Sequence, residues 1–77
     1  MIQAIIYSRQ DCHLCEMLED ELKSTYRDLL DILMIDIDED INLKKLYGLE
    51  IPVLIINGER VRLHPVDHEQ IKSLMGL

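Results

Sequence analysis

Residues 9–16 read RQDCHLCE, and they hold both cysteines of a 77-residue chain. With two residues between them, Cys12 and Cys15 can be a disulfide staple, half of a metal site, a redox pair or two inert core thiols. Their position in the fold separates these readings, and the flanking sequence supplies it. Before the pair, Ile2 to Tyr7 is a short β-rich run. After it, Leu14, Leu18, Leu22 and Tyr26 recur every four residues, as on the inward face of an amphipathic helix. Strand one therefore feeds helix one through the RQDC turn, with Cys12 at the strand end and Cys15 inside the first helical turn.

The rest of the chain carries signals of the same kind. Ile32 to Ile37 is again β-rich, and a strand that follows strand and helix is expected to pair parallel to the first through a right-handed crossover. Asp38 to Tyr47 reads as a short helix with Leu46 and Tyr47 inward and Gly48 as its left-handed stop. In GLEIPVLIING, residues 48–58, Pro52 opens the apolar run Val53 to Ile56 and Asn57-Gly58 signals a type I′ hairpin turn. Arg60 to Leu63 then returns as the antiparallel partner. Arg60 and Arg62 would share a solvated face opposite Val61 and Leu63. Val66, Ile71, Leu74 and Met75 mark a last helix, with Asp67 as its N-cap. The order is βαβαββα, an α/β fold whose four-stranded mixed sheet is flanked by helices, and residues 1–77 are expected to form one domain.

Composition limits what such a domain can do. The apolar fraction is 48%, without Phe or Trp, so the core must be aliphatic with help from three Tyr. A formal charge of −7 argues against nucleic acid or anionic lipid as partners, because phosphate contacts need clustered Lys and Arg. No apolar run approaches the length that spans a bilayer, and the chain enters its first strand without a basic region or cleavage site. A cytoplasmic monomer is the expectation.

At the start of a helix, unpaired backbone N–H groups and the dipole favour a thiolate. Cys12 is thus the expected nucleophile, and Cys15, one turn on and less exposed, the resolving thiol. Arg9 is the nearest cation able to assist, while Asp11, Glu16 and Glu19 oppose it; His13 can help if protonated or can face solvent. The rival readings are weaker. Closing a four-residue loop stabilises less than the ~3 kcal/mol of a fifteen-residue one, and cytosolic thiols stay reduced. Cys12, His13 and Cys15 with His64 or His68 could ligate a metal, but one cysteine pair is half of a zinc motif, and Pro65 separates the two histidines, so no metal site is expected. Inert core thiols fit poorly with the polar Asp11, His13 and Glu16 around them.

YSRQDCHLC before a helix, followed by GLEIPVLIING, resembles the glutaredoxin branch of the thioredoxin fold over nearly the whole chain, and CHLC is similar to its small glutaredoxin-like group. The resemblance implies a thioredoxin-like fold and a thiol–disulfide oxidoreductase or electron carrier of cell redox homeostasis, with Cys12 as nucleophile and Cys15 as resolver. It also implies a cis Ile51-Pro52 bond facing the cysteines, where the Ile51 backbone would hydrogen-bond an extended substrate. Arg9 matches the basic residue that precedes the family's CxxC. Arg9, His13, Ile51, Pro52 and Asp67 are therefore the expected substrate-binding residues. Two departures stand out: the usual CPYC is CHLC, and the Gly-Gly turn that holds glutathione is replaced within LHPVDHEQ, residues 63–70. Pro65 lacks an N–H and Val66 adds a branched side chain, so poor glutathione binding is expected, with only Asp67 kept. The expected partners are a protein disulfide and either a recycling reductase or glutathione, with no bound cofactor. The rival function is a metal-binding or redox-inactive thioredoxin-like interaction module.

Overall fold

Strand β1 (Ile2–Ser8) runs into helix α1 (His13–Thr25), which returns the chain to strand β2 (Leu30–Asp36), in a computed structural model that describes all 77 residues. A 3₁₀ turn (Ile37–Glu39) leads into helix α2 (Ile41–Tyr47), then strands β3 (Val53–Ile56) and β4 (Glu59–Val61) and helix α3 (His68–Leu74). The strands lie in the order β2-β1-β3-β4. β1 and β2 are parallel, Ile2 opposite Leu30, while β3 is antiparallel to both β1 and β4. This is the expected thioredoxin-like βαβαββα mixed sheet.

Alternation along β1 assigns its two faces. Ala4, Ile6 and Ser8 are buried on the face that meets α1 and α3, where Leu18, Leu22, Tyr26 and Ile71 join Leu54, Ile56 and Val61 in one apolar cluster. On the other face Tyr7 stacks on Tyr47 of α2, ring centroids 4.7 Å apart. The two sheet faces thus hold separate helices, and the loops between them converge at the C-terminal end of β1, where the cysteines lie. No helix is long and apolar enough to cross a membrane.

Several boundaries differ from the sequence reading for physical reasons. Leu14 is 55% exposed, because Cys15 takes its place in the buried stripe that continues through Leu18, Leu22 and Tyr26. The segment from Asp38 to Tyr47 is broken at Asp40, whose carboxylate caps α2 by accepting the N–H groups of Asn42 and Leu43. α2 packs through Leu43 and Tyr47, which leaves Leu46 61% exposed rather than inward. Gly48 is right-handed, φ −56°, not a left-handed stop; it is accommodated there because a Cβ would come within 2.5 Å of the Lys44 carbonyl oxygen. β2 starts at Leu30 and yields Ile37 to the 3₁₀ turn, and β4 ends at Val61, so Arg62 and Leu63 lie beyond it. At the hairpin, Asn57 and Gly58 both have positive φ, 51° and 78°, as a type I′ turn requires.

Candidate functional site

Cys12 is the N-cap of α1. Its backbone is extended, and its Sγ accepts the backbone N–H of Cys15 at 3.2 Å. The sharp entry is made at Asp11, φ 59°, in the left-handed region that Asp enters more readily than most residues. Cys12 and Cys15 are joined as a disulfide, Cα atoms 5.2 Å apart. Cys12 is half-buried, while Cys15 is 1% exposed beneath it. When this bond is reduced, a sulfur at the Cys12 position faces first-turn N–H groups that favour its thiolate, and the buried partner remains one turn away. His13, the first residue of the helix, is exposed.

The Ile51-Pro52 bond is cis, and Pro52 is buried. Pro52 and Leu14, the residue before Cys15, line one open groove of about 260 Å³. Its other walls include Met17 and Leu18 from α1 and Leu63, His64, Pro65 and Val66 from the segment before α3. The backbone N–H and C=O of Ile51 make no hydrogen bond within the chain.

Arg9 and Asp67 hold their charges within the chain. Arg9 donates to both carboxylate oxygens of Asp38, at 2.8 and 3.1 Å, and more weakly to the Gly48 carbonyl at 3.4 Å. That hydrogen bond holds the Asp38 carboxyl below the usual carboxylate range and raises the Arg9 guanidinium. Asp67 caps α3 by accepting the Gln70 N–H at 3.0 Å, and its other oxygen accepts from Arg62 at 2.7 and 3.0 Å. The cap bond first and the Arg62 contact second keep its pKa low. Leu14, which lies between the two cysteines in the chain, and Pro52 thus line one groove, with Arg9 and Asp67 fixed in ion pairs.

His68 is not positioned as a metal ligand. Its ring lies between Tyr26 and Glu21, with 2.6 Å from Nδ1 to the Tyr26 hydroxyl and 2.6 Å from Nε2 to the Glu21 carboxylate. The acceptor-only carboxylate assigns the proton to Nε2, so Nδ1 accepts from the Tyr26 hydroxyl. No group of three or more His, Cys, Asp or Glu side chains is arranged to hold a metal ion. Sequence reasoning missed the groove wall at Met17 and Leu63. The available signal was Leu14 and Met17, two large apolar residues spaced i and i+3 outside the buried stripe, both more than half exposed.

The family description "Glutaredoxin-like domain (DUF836)" matches residues 3–76. The chain belongs to the glutaredoxin-like domain family. Among solved structures, one described as the structure of a malarial protein superposes on this glutaredoxin-like domain with a TM-score of 0.59 at 19% identity, covering 99% of this chain and 94% of that one. At that identity the likeness concerns fold alone. No curated protein matches the chain significantly. A glutaredoxin-like domain whose CxxC cysteines are within bonding distance fits a redox role.

Proposed function

We propose that this domain is a dithiol–disulfide oxidoreductase acting on protein disulfides. The observation that carries the reading is the stacked arrangement of the two sulfurs, Cys12 at the helix cap with the Cys15 N–H on its Sγ, and Cys15 buried beneath. The Cys12 thiolate attacks one sulfur of a substrate disulfide. A Cys12–substrate bond forms, the substrate bond breaks, and the departing thiolate takes up a proton. Cys15 gives up its proton and attacks the Cys12 Sγ, so the Cys12–Cys15 bond forms and the second substrate thiolate leaves. Two electrons and two protons pass to the substrate, and an external dithiol reductant restores the pair. The cytoplasm, where thiols are kept reduced, suits this cycle.

Ile51 would guide the substrate, since its free N–H and C=O offer an edge to an extended chain beside the groove. The groove favours protein over glutathione. Leu14, Met17, Leu63, Pro65 and Val66 give it an apolar wall, whereas an anionic tripeptide needs polar and cationic contacts, and both Arg9 and Asp67 are already paired.

Turnover of a protein disulfide under an excess of small dithiol tests the reading. Cys12→Ser should lose all activity, and Cys15→Ser most of it. Near wild-type turnover of a glutathionylated substrate by Cys15→Ser, with glutathione as reductant, would contradict it, because monothiol chemistry needs glutathione seated in the groove.

A further inference from the structure

A second depression, of about 400 Å³, lies on the α2 side of the cysteine turn, and its walls differ in kind from the apolar groove. Lys44 and Lys45 supply two cations; the third, Arg9, is held by Asp38, and the one carboxylate in the lining, Glu50, is paired to Arg60 at 2.8 Å. Lys45 has no ion-pair partner. Lys44 reaches only the Asp38 oxygen that Arg9 already holds at 2.8 Å, and does so at 3.9 Å. On a chain of net charge −7 the adjacent Lys44 and Lys45 form a local positive patch. Two large apolar side chains share it: Leu49 is fully exposed and Leu46 is 61% exposed. Neither belongs to the core, and exposed leucines beside a weakly paired Lys44 and an unpaired Lys45 suit a contact surface.

Its place in the chain ties it to the chemistry. Arg9 lies in the turn that leads to Cys12, and Glu50 immediately precedes the Ile51-Pro52 loop, so the depression borders both segments that flank the cysteine site. We propose that Lys44, Lys45 and Leu49 dock an acidic segment carrying an apolar side chain, belonging to the protein whose disulfide is reduced. The assignment rests on the dithiol–disulfide reading and names the class of substrate it serves. The lysines meet the partner's carboxylates, and Leu49 with Leu46 covers its apolar side chain.

Three synthetic disulfide-bridged peptides with identical cysteine spacing test this, one flanked by Asp-Leu-Glu, one by Lys-Leu-Lys and one by Asp-Ser-Glu. For the wild-type protein the Asp-Leu-Glu peptide should have a KM about twofold to tenfold below the other two, with kcat nearly equal, as expected for a few exposed charge contacts. Lys44→Glu/Lys45→Glu should reverse the order of the two charged peptides, and Leu49→Ser should remove the preference for Leu over Ser. Lys44→Gln/Lys45→Gln, which removes the charge but keeps a polar side chain one atom shorter, should abolish the charge preference without reversing it. Equal KM values with turnover intact, or an order that the lysine variants leave unchanged, would overturn the docking assignment alone. Absence of turnover with all three peptides would overturn the redox reading and the docking assignment with it.

Discussion

The Sγ of Cys12 accepts the backbone N–H of Cys15 at 3.2 Å, so one sulfur stands at the helix end while the other is enclosed beneath it. In the reduced protein that difference becomes a difference in reactivity. Limiting iodoacetamide should alkylate Cys12 before Cys15, as read by mass spectrometry of the digested protein. First labelling at Cys15 would reverse the two roles.

Tyr26, His68 and Glu21 join α1 to the start of α3 by two hydrogen bonds. Tyr26→Phe keeps the packing of the ring but leaves Nδ1 of His68 without its donor. It should lower stability by about 1 kcal/mol in urea unfolding, with an unchanged m-value. An undiminished midpoint would show that the bond contributes nothing.

Tyr26 also sets an alkaline limit. Burial, and secondarily the Glu21 charge, raise its phenol above the ordinary value of 10.0. A folded-state pKa above the unfolded one gives stability that is complete below pH ~10 and is lost as pH rises through the raised value. Wild type should therefore lose stability above pH 10 more steeply than Tyr26→Phe.

Asp38 and Asp67 act in the opposite direction. Their carboxyls are held below 3.8, Asp38 chiefly by the Arg9 hydrogen bond and Asp67 chiefly by the Gln70 N–H. Depressed folded-state values stabilise the fold above the unfolded pKa, and that stability is lost as pH falls through the lowered ones. Asp67→Asn, which can still cap α3 but cannot ion-pair with Arg62, should flatten the acid limb of a Tm-against-pH curve while leaving far-UV circular dichroism at neutral pH unchanged. A steeper acid limb in the variant would contradict the assigned sign.

What could be read from the sequence was local chemistry. Cys12 at the cap, the Asn57-Gly58 turn and Asp67 before the last helix are each specified by residues within a turn of one another, and they appear where the pattern places them. Leu14 and Leu46 depart from the sequence pattern because periodicity gives a helix face but not how much of that face its neighbours cover. Cys15 fills the position that Leu14 would take, and α2 packs through Leu43 and Tyr47, both only half-buried, which leaves Leu46 exposed. The Asp40 break was missed although an Asx cap is a local signal, because the charged run from Asp36 to Asp40 offers several candidate caps. At the site, Arg9–Asp38 and the Tyr26–His68–Glu21 chain join residues separated by 29 to 47 positions. No spacing rule relates such partners; only the sheet order brings them together.

Cys12 and Cys15 should form a reversible two-electron couple on a scaffold that stays folded in both states. Equilibration of the metal-free protein across a graded series of thiol–disulfide buffers, with free thiols counted by mass-tagging and the fold followed by circular dichroism, measures this directly. The expected result is a single transition between two free thiols and none, following a two-electron curve in which about 30 mV corresponds to a tenfold change in the equilibrium constant, with an unchanged spectrum throughout. Thiols that never form the Cys12–Cys15 bond across the series, or a protein that unfolds when that bond is reduced, would contradict it.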